Sequence, residues 1–123
     1  MNRINKVFNK KKNLLSIYFT AGFPDINDTL KIIKELDKSQ VDMIEIGLPF
    51  SDPLADGPTI QLSSNRALSN GITLDNIFEL ALNAKSLNKK LPIILMGYYN
   101  VVLHYGIENF VKNCVSHGVD GLI

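Results

Sequence analysis

Two features that could take part in catalysis lie in one seventeen-residue segment, 45–61 (EIGLPFSDPLADGPTIQ). The first is Glu45, which sits near the end of an apolar run over 41–47 that predicts a buried β-strand. In an alternating strand Glu45 shares a face with Met43 and Gly47. Burial of a carboxylate favours its protonated form unless the group is paired, which suits general acid–base catalysis near neutral pH. The alternatives are a glutamate paired with a buried Lys or Arg, or one at an exposed sheet edge.

The second feature is a pair of aspartates in the loop that follows this strand. Asp52 directly precedes Pro53, and Asp56 precedes a Gly-Pro pair. Proline fixes its own φ and restricts the residue before it, so this loop is stiffer than its length suggests. A loop that leaves the carboxyl end of a parallel strand lies on the face where active sites form. Ordinary turn chemistry is the alternative, since Asp-Pro and Asp-Gly are common in turns.

Other residues give weaker signals. Tyr98, Tyr99 and Asn100 follow a third apolar run and suit a pocket for a flat ligand, although Tyr at a strand end more often only packs. His104 and His117 lack the spacing of metal ligands, so we expect no metal site. The sequence contains no glycine-rich phosphate loop and no pattern of serine, histidine and aspartate that indicates a hydrolase.

The composition fits one globular domain or part of one: 123 residues, 46% hydrophobic and 20% charged, with a net charge of +1. The single cysteine, Cys114, excludes an intramolecular disulfide, and we expect it to be a buried packing residue in a cytoplasmic protein. Beyond the basic first twelve residues the chain is acidic, which disfavours nucleic-acid binding. No apolar stretch is long enough to span a membrane.

Apolar runs alternate with helical patterns along the whole chain, which predicts a parallel sheet covered by helices. Strands are expected over 14–20, 41–47, 91–97 and 119–123. The predicted helices are an amphipathic one at 1–12, one after a cap at Asp25 or Asn27 that runs to about 39, and others at 59–69, 74–87 and 107–117. Gly71 and Thr73 should separate the third and fourth helices as stop and cap. A transit peptide is the alternative for the basic first segment.

The segment 45–61 closely resembles the signature of the tryptophan synthase α subunit family. The basic N-terminal helix, TAGFP at 20–24, LMGYYN at 95–100 and GVDGLI at 118–123 also occur in the order and spacing of that family. Two positions depart from its pattern, since Leu48 stands where Val is common and Gly97 where Thr often occurs. The resemblance implies an α/β fold, the (β/α)8 or TIM barrel. We expect 1–123 to be the N-terminal part of one barrel domain, with about four of its eight strands.

The activity that the resemblance implies is retro-aldol cleavage of indole-3-glycerol phosphate to indole and glyceraldehyde 3-phosphate. Glu45 falls at the family's general acid–base glutamate, and Asp56 falls at its catalytic aspartate. The positions that line the family's indole pocket correspond to Tyr18, Met96, Tyr98 and Ile123. Asp52 and Pro53 fall in the loop that contacts the β subunit, which carries pyridoxal phosphate in an α2β2 tetramer. No cofactor is expected in this chain.

Two other functions stay open. One is a non-catalytic truncated half barrel that keeps only a loop for binding the β subunit. The other is a different barrel enzyme acting on a phosphorylated sugar, because a fold alone does not fix a function. The phosphate-binding loops of such barrels follow later strands than this chain provides. We therefore expect residues 1–123 alone to show little or no lyase activity.

Overall fold

The computed structural model describes residues 2–10 and 12–123, so the ends of the predicted helix at 1–12 fall partly outside the described residues. Its helices are α1 (Arg3–Lys10), α2 (Asp28–Lys38), α3 (Pro58–Ser69), α4 (Leu74–Leu87), α5 (Tyr99–Tyr105) and α6 (Ile107–Ser116). The strands are β1 (Ser16–Thr20), β2 (Met43–Gly47), β3 (Ile93–Met96) and β4 (Gly121–Leu122). They form one parallel sheet in the order β1-β2-β3-β4, which confirms the predicted alternation and parallel pairing.

The two faces of the sheet differ in chemistry because side chains alternate along each strand. On one face Ile44, Ile46, Ile93 and Leu95 are at most 1% exposed. They share a hydrophobic core with side chains of the helices, among them Phe78 of α4 and Phe110 of α6. The opposite face carries the polar residues of the strands. The hydrophobic core therefore lies on one side of the sheet, and the candidate site lies on the other.

The polar face is aligned by the strand register. Tyr18 of β1 lies directly beside Glu45 of β2, and Thr20 lies beside Gly47. Gly47 in turn lies beside Met96 of β3. Because neighbouring positions in a parallel sheet project to the same side, residues that are far apart in the sequence form one surface. This surface is the frame of the candidate site.

The capping residues predicted from the sequence are correct for α4 and only partly correct for α2. Thr73 caps α4 in a reciprocal pair: Asn76 N donates to Thr73 Oγ1 at 3.2 Å, and Thr73 N donates to Asn76 Oδ1 at 3.1 Å. The expected cap of α2 is wrong. Asn27 stands at the N-cap but its side chain makes no capping bond, and Asp25 instead accepts a hydrogen bond from Asn27 N in a turn before the helix.

Helix α5 was not predicted, because the sequence over 99–105 gives little local support for a helix. It has only seven residues, two of them the β-branched Val101 and Val102, and its first residue has no side-chain cap. Val101, Val102 and Tyr105 pack against the core. These tertiary contacts stabilise α5 despite its weak helix propensity. Tyr98 and Tyr99 consequently stand at the start of a helix rather than in an open loop.

A largely buried ion pair joins helix α1 to the start of β4. The guanidinium of Arg3 meets both carboxylate oxygens of Asp120, Nε to Oδ1 and Nη2 to Oδ2, each at 2.8 Å. The two side chains are 14% and 9% exposed. Arg3 also donates to the Gly118 carbonyl, and Asp120 Oδ2 accepts from Ile93 N at 2.9 Å. This cluster, the Arg3–Asp120 clasp, joins the first helix to β3 and β4.

Cys114 is buried in the core, as predicted. Burial raises the pKa of its thiol to about 11, which keeps the sulfur protonated and a poor nucleophile at neutral pH. Within residues 2–10 and 12–123, no helix is both long enough and apolar enough to cross a membrane.

Candidate active site

Glu45 is the middle residue of β2, which lies between β1 and β3 in the sheet. Its side chain is half-buried, and Oε1 accepts a hydrogen bond from Ser16 Oγ at 2.6 Å. A glutamate at a sheet edge is therefore the wrong interpretation. Within the described part of the chain, no Lys or Arg forms an ion pair with Glu45. A carboxylate held by a neutral hydroxyl on an otherwise apolar strand is a candidate for proton transfer.

A cavity of about 190 Å³ opens at the carboxyl ends of the strands. Five residues expected to form the site line it: Tyr18, Asp56, Met96, Tyr98 and Ile123. An apolar cavity of about 150 Å³ accommodates a benzene-sized ring, so this space suits a flat aromatic group. Glu45 does not line the cavity; it lies on the same face of the sheet, beside the lining residue Tyr18.

Asp56 reaches this cavity because hydrogen bonds hold the loop between β2 and α3 in place. Its backbone N–H donates to the Pro53 carbonyl at 3.2 Å and closes a turn. The next contact comes from Tyr98, whose hydroxyl oxygen accepts a hydrogen bond from Ala55 N at 3.0 Å. The ring of Tyr98 also lies 5.3 Å from the ring of Phe50, centroid to centroid. Tyr98 therefore both lines the cavity and holds the loop that carries Asp56.

Asp52 and Pro53, the predicted contacts to a partner, do not line the cavity. Asp52 is exposed and accepts a hydrogen bond from Ser51 Oγ at 2.7 Å, whereas Pro53 is buried. The neighbouring Leu54 is 95% exposed. The apolar surface at the tip of this loop is therefore that of Leu54.

Tyr18 is a neutral polar group of the cavity wall. Burial raises the pKa of its hydroxyl and the nearby negative charge of Asp56 raises it further, against the lowering effect of its hydrogen bond with Thr20. The hydroxyl thus stays protonated around neutral pH and does not act as a base there. Its ring lies over Gly47, where an added Cβ would stand 2.7 Å from Tyr18 Cζ. Only glycine at position 47 leaves room for this ring.

Several residues around the site were not singled out as site residues from the sequence. Ser16 bonds Glu45, and the cavity wall also includes Leu48, Ala55, Ser64 and Gly97. Period-two alternation offered a signal for Ser16, because it places Ser16 on the face of Tyr18. No comparable signal marks Ser64, which enters the cavity wall only through the packing of α3. Among the described residues no three His, Cys, Asp or Glu side chains come together as a metal site.

A parallel sheet in the order β1-β2-β3-β4 with a cavity at the carboxyl ends of its strands is typical of the (β/α)-barrel class of fold. A protein-family model described as "Tryptophan synthase alpha chain" matches residues 4–123. The chain belongs to the tryptophan synthase alpha chain family. The predicted fold class, part of a TIM barrel with four parallel strands present, is confirmed.

Individual relatives agree. Tryptophan synthase alpha chains of Flavobacterium psychrophilum and Christiangramia forsetii are each 58% identical over 123 and 125 residues, which cover 100% of this chain and 48% of each relative. The crystal structure of tryptophan synthase subunit alpha from Legionella pneumophila superposes with a TM-score of 0.95 at 40% identity, over 99% of this chain and 48% of that one. The chain thus spans about half the length of the curated relatives it matches.

Leu48 and Gly97, the two positions expected to depart from the family pattern, lie against each other in the cavity wall. A Cβ added to Gly97 would stand 2.8 Å from Leu48 Cβ and 3.1 Å from both Leu48 Cγ and Cδ1. These distances are shorter than ordinary van der Waals contacts. The leucine therefore occupies space that a larger residue at position 97 would need. The size that position 97 can accept thus depends on the residue at position 48.

This contact gives a prediction for a hybrid barrel, in which residues 1–123 replace the segment of the F. psychrophilum relative that they match. We expect Gly97→Ala to lower the free energy of unfolding by about 1–3 kcal/mol, because the added methyl group collides with Leu48. The same change should cost less in a Leu48→Ala background, which removes two of the three close atoms. Urea unfolding of the single and double variants measures the coupling.

Gly57→Ala is the matched control, since a Cβ at that position meets nothing within 4 Å. It should cost clearly less than Gly97→Ala. Equal costs for Gly97→Ala with and without Leu48→Ala would contradict the volume coupling.

Proposed function

We propose that this chain provides half of a barrel enzyme that cleaves indole-3-glycerol phosphate to indole and glyceraldehyde 3-phosphate. The observation that supports this most is the cavity at the carboxyl ends of the strands, which Asp56 lines together with aromatic and thioether side chains, with Glu45 on the same face of the sheet beside Tyr18. Family membership supports the same activity. The reaction needs proton transfer and stabilisation of positive charge, and both are within the chemistry of carboxylates.

In this mechanism Glu45 carries the proton. It donates a proton to C3 of the indole ring, which places positive charge on the ring nitrogen. It then accepts the proton of the adjacent glycerol hydroxyl as that group becomes a carbonyl. The bond between the ring and the glycerol chain breaks, and its electron pair returns to the ring to restore indole. Glu45 ends the cycle in its starting protonation state, as a general acid–base catalyst must.

Asp56 has an electrostatic role in the proposal. Its carboxylate accepts a hydrogen bond from the indole N–H and stabilises the positive charge that develops there after C3 is protonated. The apolar cavity wall strengthens this attraction, because charges interact more strongly away from water. The turn at Pro53 and the bond between Ala55 and Tyr98 support such a role, since they hold the loop in place before substrate arrives.

The indole ring would bind among Tyr18, Met96, Tyr98 and Ile123. Aromatic rings and thioether sulfur both make favourable contacts with a flat aromatic ligand. The substrate phosphate would bind elsewhere, in the loops after later strands that serve this purpose in such barrels. The 123 residues alone are therefore expected to lack useful lyase activity.

The partner in this proposal is the tryptophan synthase β subunit in an α2β2 tetramer. The loop with Asp52 and Pro53 would contact it, and the exposed Leu54 supports this assignment because an apolar tip favours burial at an interface. The β subunit would hold the pyridoxal phosphate and consume the indole, while this chain would need no cofactor or metal of its own. A cytoplasmic location is part of the same proposal.

The test is indole release from indole-3-glycerol phosphate by the hybrid barrel, with the parent relative as the positive control. We expect the hybrid to release indole and residues 1–123 alone to release none. If the hybrid folds with the circular dichroism spectrum of its parent but releases no indole, the lyase proposal is wrong. Binding of that inactive hybrid to the β subunit would then favour a non-catalytic, partner-binding role.

A further inference from the structure

Within the described residues, the side chain of Glu45 has one hydrogen-bond partner, Ser16. The strand register pairs Ser16 with Met43 and Tyr18 with Glu45. Ser16 therefore lies two positions before Tyr18 on the same face, toward the amino end of the sheet. Glu45 is level with Tyr18, and its side chain reaches Ser16 toward the amino end of the sheet.

We propose that Ser16 is a positioning residue for Glu45, an inference that rests on the lyase function proposed above. The 2.6 Å separation of Ser16 Oγ and Glu45 Oε1 is typical of a hydroxyl that donates to a carboxylate. The bond fixes a long side chain that has three rotatable torsions and would otherwise move among several rotamers. It engages Oε1 and leaves Oε2 for the proton that moves to and from substrate.

A serine hydroxyl suits this position better than a charged partner. Lysine or arginine would favour the ionised carboxylate and oppose its protonation, because an opposite charge stabilises the charged form. The hydroxyl of Ser16 is neutral and can donate to Oε1 whether or not Oε2 carries a proton. It therefore holds Glu45 in both states of a proton-transfer cycle. No Lys or Arg of the described chain pairs with Glu45, in keeping with this arrangement.

The test compares Ser16→Ala with Ser16→Thr in the hybrid barrel. We expect Ser16→Ala to lower kcat for indole release about tenfold or more, because a displaced catalytic group transfers protons poorly. KM should change little, since Ser16 does not line the cavity. Ser16→Thr keeps the hydroxyl on a residue that suits a strand and should restore most of kcat.

A second comparison separates positioning from a general structural effect. In a Glu45→Gln background, Ser16→Ala should produce no further tenfold fall in kcat, because residues that act through one another are not additive. An unchanged kcat in Ser16→Ala alone would overturn the proposal. A similar fall in both backgrounds, or a rise in KM at constant kcat, would also overturn it.

Crystal structures of the hybrid and of Ser16→Ala give a readout that does not depend on activity. We expect one ordered position for the Glu45 carboxylate in the hybrid and a displaced or multiple position in the variant. An unmoved carboxylate in Ser16→Ala contradicts positioning even if the hybrid proves inactive. An inactive hybrid with a displaced carboxylate in the variant contradicts the lyase function and leaves the positioning role supported.

Discussion

Replacing Glu45 by glutamine in the hybrid barrel is expected to lower kcat for indole release by at least about 100-fold. Glutamine has nearly the same shape, and its amide oxygen can still accept the hydrogen bond from Ser16. It cannot, however, carry a proton between C3 of the indole ring and the glycerol hydroxyl. KM should stay close to its original value because the proposed role of Glu45 is proton transfer in the transition state and glutamine keeps its size. Steady-state indole release over a range of substrate concentrations measures both constants.

Glu79→Gln is the matched control for this experiment. Glu79 is an exposed residue of α4 outside the cavity wall, so the same chemical change there should leave kcat unaltered. Near-normal turnover by Glu45→Gln would refute the acid–base assignment. Loss of activity together with loss of the folded circular dichroism spectrum would show instead that Glu45 is needed for folding.

The second large effect is expected at the Arg3–Asp120 clasp. Arg3→Ala should destabilise the hybrid barrel by about 3–5 kcal/mol, because it leaves the largely buried Asp120 carboxylate without its cation. For a protein of this size each kcal/mol lowers Tm by about 2–4 °C, which gives a fall of roughly 6–20 °C. Differential scanning calorimetry provides the measurement, and Arg3→Lys should recover only part of the loss since lysine lacks the two-pronged geometry.

Lys38→Ala serves as the control for a surface ion pair. Lys38 lies 2.7 Å from Glu35, but the two side chains are 71% and 70% exposed. Exposed pairs contribute little, so Tm should fall by less than about 2 °C. If Arg3→Ala were no more damaging than Lys38→Ala, the clasp would have no special part in holding α1 to the sheet.

The fold was predictable where local signals and burial agree. The alternation of apolar runs with helical patterns gave the four parallel strands, and Thr73 marked the start of α4 through its own hydrogen bond. Helix α5 was missed because its stability comes from the packing of Val101, Val102 and Tyr105 against the core. The cap at Asn27 failed for a related reason, since a suitable residue type does not ensure that its side chain turns back toward the helix.

The residues of the candidate site could be predicted better than the contacts between them. Strand endings and the resemblance brought Tyr18, Asp56, Met96, Tyr98 and Ile123 to one expected pocket, and all five line the cavity. Their roles in binding and catalysis stay predictions. The bond from Ser16 to Glu45 and the contact of Leu48 with the Gly97 position depend on strand register and backbone separation, which a single sequence does not encode locally.

The order of the sheet has a consequence for how the chain is assembled during synthesis. Within the described sheet, β2, β3 and β4 each pair with the strand that is synthesised just before them. The paired residues are 27 to 49 positions apart because each parallel pair needs a crossover connection, so this sheet forms more slowly than a hairpin does. The Arg3–Asp120 clasp is the exception, since it joins residues 117 positions apart. It can form only after Asp120 has been synthesised, so α1 is joined to the sheet late in the order of synthesis.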